Sequence, residues 1–256
     1  MARIYTLVNQ KGGVGKTTTA INLGAYLAKY GERVLIVDID PQANATSCLG
    51  IDKHGVEKSS YQALLGEENP AELILKNERL NLSLLPSAPD LAGAEVELVN
   101  ELGRETRLRN ALNKLNDDYD YILLDCPPSL GLLTINGLMA AQDGVIIPVQ
   151  CEYLALEGLG QLTQTIQQVR SALFPELRLR GVIMTMFDGR TNLSSDVVAE
   201  VNNHFPDAVF EAIIPRSIRL AEAPSYGLPI AEYAPNSVGA KAYSAFAKEL
   251  LAADKE

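Results

Sequence analysis

The sequence predicts a doubly wound α/β domain, a mostly parallel sheet of about seven or eight strands with helices on both faces. Three observations carry that expectation. Strand-sized apolar runs recur at 4–8, 34–37, 119–125, 143–149, 179–187 and 209–214, and near-continuous apolar character suits parallel strands covered on both faces. Amphipathic stretches at helical spacing separate them, the alternation of an α/β sheet. Acids close two of the runs, at Asp38 and Asp125, where open α/β sheets place their chemistry.

Size and composition agree. The chain has 256 residues with 47% hydrophobic content, enough for one domain over 1–256 with an ample core. Its longest apolar stretches are strand-sized, short of a membrane span. The first strand begins near Met1 with no charged-then-apolar leader, so the expectation is a cytoplasmic protein. Cys48, Cys126 and Cys151 form an odd set without metal-ligand spacing, which argues against disulfides and a zinc site. A formal charge of −10 argues against nucleic-acid binding in bulk. Yet six of the twelve arginines fall between Arg170 and Arg219, among similar numbers of acids, so only folding can gather a basic face.

The first strand leads into Gln10-Lys11-Gly12-Gly13-Val14-Gly15-Lys16-Thr17-Thr18, and a helix follows over 19–30. Strand, glycine-rich turn and helix make the context of a phosphate-binding loop. The glycines let successive backbone N–H groups turn inward around an anion, toward which the helix also points its positive end. Lys16 supplies a point charge for the β- and γ-phosphates, and Thr17 a hydroxyl for Mg²⁺. The common loop begins with glycine where Gln10 stands, and here Lys11 follows. Two lysines this close repel unless an oligophosphate lies between them.

The second strand, 34–37, ends in Asp38-Ile39-Asp40-Pro41-Gln42. Alternation turns Asp38 and Asp40 to the same side. Asp40 is the candidate for orienting an attacking water; Asp38 either joins the Mg²⁺ shell through water or serves as a cap or Asx turn. Short helical turns follow at 60–66 and 70–74, a strand at 80–86, and helical spacing over 88–116 broken near Leu102-Gly103. Asp125 closes the strand 119–125 in the manner of a Walker B acid reaching Mg²⁺ through water. Pro127 and Pro128 stiffen the turn after it. Helices are expected at 130–141, 159–173, from Thr191 to Phe205, and at 236–253. Glu152 faces either a nucleotide or a partner, with helix capping by Glu152 or Glu157 the alternative.

These motifs resemble the ParA/MinD family of deviant P-loop ATPases. Lys11-Gly12-Gly13-Val14-Gly15-Lys16-Thr17 is similar to its deviant Walker A loop, and Asp38-Ile39-Asp40-Pro41-Gln42-Ala43-Asn44 to the first switch of chromosomal ParA/Soj members. Asp125-Cys126-Pro127-Pro128 is similar to the second switch. The runs 148–158 and 214–225 also match, and the likeness spans 4–248. Cys126 takes the place of a cluster ligand in the nitrogenase iron protein, although a small buried residue after a strand accounts for it as well.

The resemblance implies ATP and Mg²⁺ as cofactors, with ATP held by residues 11–18. It implies that Lys11 crosses a homodimer interface to the partner's nucleotide and that Asp40 is needed for hydrolysis. It places Met186, Asp188 and Pro215 at the adenine. It gives Arg190 a part in binding non-specific double-stranded DNA, and Arg216 and Arg219 a part in either nucleotide or DNA binding, with ion pairs to Glu211 or Glu222 the alternative. A ParB-like partner, slow stimulated hydrolysis and association with the nucleoid in the ATP state follow from the same likeness. The chain ends without the basic amphipathic tail of MinD-type members, so no stable membrane association is expected. Its first strand lies close to Met1, so the helix-turn-helix domain of plasmid-type members is not expected. Three other readings stay open: a MinD-like ATPase, an ATPase positioning another cargo, and a synthetase of the dethiobiotin/cobyrinate type.

Overall fold

The computed structural model describes residues 1–255 and forms one eight-stranded sheet. Its strands are β1 (Arg3–Leu7), β2 (Val34–Asp38), β3 (Leu75–Asn77), β4 (Leu82–Leu85), β5 (Tyr121–Asp125), β6 (Gly144–Gln150), β7 (Leu179–Phe187) and β8 (Val209–Pro215). They lie in the order β3-β4-β2-β5-β1-β6-β7-β8. Every pairing is parallel except β3 with β4, which makes β3 an antiparallel edge.

The helices are α1 (Lys16–Lys29), α2 (Asn44–Cys48), α3 (Ser60–Leu65), α4 (Leu91–Glu97), α5 (Arg107–Leu112), α6 (Leu132–Ala140), α7 (Ala155–Ala172), α8 (Asn192–His204), α9 (Ile218–Glu222), α10 (Ile230–Tyr233) and α11 (Val238–Ala253). Successive side chains of a strand point to opposite faces, and the core divides accordingly. Tyr5, Leu7, Val34, Ile36, Tyr121 and Leu123 pack with α1, α2 and α9 to α11. Their neighbours Ile4, Leu35, Val37, Ile122 and Leu124 pack with α3 to α8. This two-sided burial is the predicted doubly wound architecture.

The central register sets up the site. Asp38 pairs with Asp125, and Asp125 with Leu7, so the ends of β2, β5 and β1 meet at one level. Ile39 joins the α3–α8 core, which leaves Asp38 and Asp125 on the α1 side.

Several expected elements differ. The helical stretch 88–116 is shorter and more broken: α4 runs into a 3₁₀ turn at Leu98–Asn100, Gly103 takes φ +67°, and further 3₁₀ turns at Arg104–Thr106 and Asn113–Leu115 flank α5. Helix α7 starts four residues before its expected 159. Strand β3 and the short helices α2, α9 and α10 were not expected. Helix α11 begins where Ser237 caps it by accepting from the Ala240 N–H.

Candidate functional site

The loop between β1 and α1 turns on two glycines in the left-handed region, Gly13 at φ +77° and Gly15 at φ +93°, where a side chain would be strained. Gly15 stands at the N-cap of α1, and no side chain caps that end. The N–H groups of Lys16, Thr17 and Thr18 precede the first intrahelical bond, Thr19 N–H to the Gly15 carbonyl, and so point out of the helix as anion donors.

Two residues without a sequence signal hold this loop. Asn9, buried, donates to the Pro148 carbonyl at 2.8 Å and accepts from the Lys11 N–H at 3.0 Å. Thr185, near the end of β7, donates to the Val14 carbonyl at 2.8 Å. Their only mark in the sequence is a polar residue at the end of a buried strand.

Lys16 is buried, and its ammonium lies 3.3 Å from the Lys11 carbonyl. Burial pushes the Lys16 ammonium down from its ordinary range, while Asp125, Cys126 and Asp40 work the other way. Thr17 donates to Asp125 Oδ2 at 2.7 Å. Asp125 Oδ1 is buried with no hydrogen-bond partner among the described residues. Burial drives Asp125 well above the usual carboxylate range, and the neighbouring charge of Asp38 adds to this against Thr17 and Lys16. Asp38 is pushed up to about 6 by burial, although Thr46 donates to it twice.

Buried acids thus outnumber the single buried lysine, and one oxygen is orphaned beside a threonine hydroxyl. This fits a divalent cation. Among the described residues no cage of three or more His, Cys, Asp or Glu side chains forms. Thr17 and Asp125 would hold Mg²⁺ together with phosphate and water oxygens, a ligand set that needs no such cage.

The sequence-derived acids differ in what they touch. Asp38 spends one oxygen on the Asp40 N–H and the other on Thr46, so it makes the turn-holding contacts. Asp40 accepts from the Gln42 N–H at 2.9 Å through Oδ1 and lies close enough to Lys16 to act on its charge. Cys126 packs under Gly137, its thiol pushed well up by burial. Lys11 pairs with Glu152 of its own chain at the mouth of the loop.

A cavity of about 290 Å³ opens beside Gly15 and Thr18, lined by Met186, Pro215 and Tyr243 among others. It has the size and apolar character for a nucleobase. Met186 takes φ +52° at a register shift between β7 and β8, a strained backbone of the kind that gathers at ligand sites. Asp188 lies outside this lining and holds Arg190 through two guanidinium bonds, at 2.6 and 2.8 Å. Arg216 lines the cavity, whereas Arg219 pairs with Glu222 at 2.9 Å. All three arginines are exposed near the ends of β7 and β8.

A family model described as an AAA domain matches residues 2–179. The chain is 53% identical to the sporulation initiation inhibitor protein Soj of Bacillus subtilis, over 98% of this chain and 99% of that protein. It is 53% identical to the chromosome partitioning protein ParA of Myxococcus xanthus, over 99% of this chain and 89% of the relative. Among solved structures, cobyrinic acid a,c-diamide synthase of Mycobacterium smegmatis with bound ATP analogue and magnesium superposes with a TM-score of 0.88. It is 41% identical, over 100% of this chain and 97% of that one.

Proposed function

The chain belongs to the Soj/ParA family of chromosome-partitioning ATPases, and we propose that it is a two-subunit ATP switch that binds DNA non-specifically. The observation that carries the hydrolytic reading is the group Lys16, Thr17 and Asp125. A cation-binding hydroxyl and an acid with one orphaned oxygen stand at a helix end that offers free N–H groups. Mg²⁺, when bound, neutralises charge on the phosphates. The loop N–H groups and Lys16 hold the β- and γ-phosphates, and Asp40 orients a water and takes its proton at a carboxylate oxygen. The adenine enters the cavity lined by Met186 and Pro215. Lys11 leaves Glu152 to reach the nucleotide of a second subunit, so ATP binding and dimerisation are coupled. The dimer then binds DNA through Arg190 and Arg216, and a ParB-like partner accelerates slow hydrolysis and release.

The likeness to the synthase supports a second reading, amide transfer to a carboxylate. Such chemistry with a cysteine nucleophile needs a depressed thiol pKa. Here burial pushes Cys126 well up, and Cys48 and Cys151 to about 11. The full-length relatives at 53% identity, Soj and the chromosome partitioning protein ParA, favour the switch reading.

The deciding experiment is Asp40→Ala in the full chain, followed by sedimentation and DNA binding with ATP. A persistent ATP-bound dimer that holds DNA is expected. Hydrolysis at the parent rate, or an ATP-bound monomer, overturns the reading.

A further inference from the structure

We propose that Thr46 and Ser87 are positioning residues for the water-orienting acid Asp40. They close a buried ring of hydrogen bonds that fixes the loop between β2 and α2. This rests on the reading of Asp40 given above.

The ring can be followed atom by atom. Asp38 Oδ1 accepts from the Asp40 N–H at 3.1 Å. Asp38 Oδ2 accepts from the Thr46 N–H at 2.9 Å and from its hydroxyl at 2.8 Å. With its one proton given to Asp38, Thr46 Oγ1 accepts from the Ser87 N–H at 2.9 Å. The Ser87 hydroxyl donates to the Asp40 carbonyl at 2.8 Å, which returns the ring to its start. Asp38, Thr46 and Ser87 are 0% exposed and Asp40 is 5% exposed. Water therefore offers these groups little substitute for the partners they have.

The loop needs such a fastening. Helix α2 is five residues long, and its N-cap, Ala43, sits at φ +52° with no side-chain cap. A helix of that length does not hold itself. The ring joins it to the end of β2 and to the residue beyond Pro86, just past β4. Asp40 is then gripped at its N–H, its carbonyl and Oδ1, while Oδ2 takes no bond from the protein among the described residues. An acid that orients water works only within a narrow tolerance, so the ring acts on the reaction through Asp40 without touching substrate.

The test compares Thr46→Val, Thr46→Ser, Ser87→Ala and Asp40→Ala in the full chain, measuring steady-state ATP hydrolysis and, separately, affinity for a non-hydrolysable ATP analogue. Thr46→Val keeps the shape and removes the hydroxyl. Ser87→Ala removes only the hydroxyl's bond to the Asp40 carbonyl, which keeps the Ala43 N–H at 2.8 Å, and it carries the test if the valine variant does not fold. The expected result is a loss in kcat of about tenfold for each, with nucleotide affinity kept within about twofold and near-parent kcat in Thr46→Ser. Parent kcat in both Thr46→Val and Ser87→Ala, with Asp40→Ala inactive, overturns the proposal. So does a loss of nucleotide affinity as large as the loss of kcat. An active Asp40→Ala overturns the underlying reading instead.

Discussion

Asp38 and Asp125 are register partners on adjacent parallel strands, and both carboxyls are fully buried on the α1 side of the sheet. In this parallel register the paired residues share one pleat direction, so both carboxyls turn to the same face. The chain thereby concentrates negative charge where it has only Lys16 to oppose it.

That concentration sets a pH dependence. Asp38 is raised to about 6 from an ordinary 3.8, and Asp125 is raised well above the usual carboxylate range. Between these limits the folded protein binds more protons than the unfolded chain, so stability falls as pH rises through this window. Asp188 has the opposite sign, being held well below its usual range by Arg190, but its contribution changes only below about pH 4. Metal-free protein should therefore be more stable at pH 5 than at pH 7.5, by about 1 kcal/mol from Asp38 alone. Urea unfolding with chelator at both pH values checks this. Asp38→Asn should narrow the gap; an unchanged gap removes Asp38 from the account.

On the proposed two-subunit switch, the Lys11–Glu152 pair competes with dimerisation. The pair is partly exposed, with side-chain exposures of 44% and 30%, and such pairs contribute up to about 1 kcal/mol. If Lys11 must leave Glu152 to cross an interface, Glu152→Gln should tighten the dimer formed with a non-hydrolysable ATP analogue by up to about fivefold. Lys11→Gln should weaken it. Sedimentation equilibrium gives both values, and a weaker dimer in Glu152→Gln would show that Glu152 itself serves the interface.

The first loop was legible because its chemistry is local. Lys16 and Thr17 follow Gly15 directly, and the apolar runs around them have one reading. The supports of the loop were not legible. Asn9 and Thr185 bond to residues 139 and 171 positions away, a distance no window spans. Strand β3 is three residues with the sequence Leu75-Lys76-Asn77, largely exposed and too short to show a period. Helix α2 lacks both an apolar stripe and a side-chain cap, and its tie to the rest of the fold, Thr46 to Asp38, spans eight residues. Of the three residues expected at the adenine, Met186 and Pro215 line the cavity beside Gly15. Asp188, two residues after Met186, lies outside that lining and bonds to Arg190.

Toward the amino ends of the strands, away from the loop, Asp254 should carry unusual weight for stability. Its carboxylate accepts from Tyr5 at 2.7 Å, Tyr121 at 3.0 Å and Arg180 at 3.0 Å, and its side chain is 4% exposed. Removing it strands two buried phenols and a guanidinium. Asp254→Ala should lower unfolding free energy by about 3–5 kcal/mol, the usual cost of breaking a buried pair. Asp254→Asn, which keeps an acceptor, should cost less. Denaturant midpoints decide; equal losses would show that charge alone matters.

Arg190 is the DNA candidate most affected by its neighbour. Asp188 occupies two guanidinium donors and the Arg190 N–H, so a phosphate has to displace it. Asp188→Asn should weaken that hold and remove a negative charge close to Arg216. The expected result is tighter binding to random duplex DNA in the ATP-analogue state and a log–log salt slope steeper by about one, the signature of one more phosphate contact. Arg190→Glu should give the reverse. Because the family resemblance also put Asp188 at the adenine, nucleotide affinity must be measured on the same variant. A loss there with DNA binding unchanged assigns Asp188 to the base, and returns Arg190 to the role of a surface ion pair.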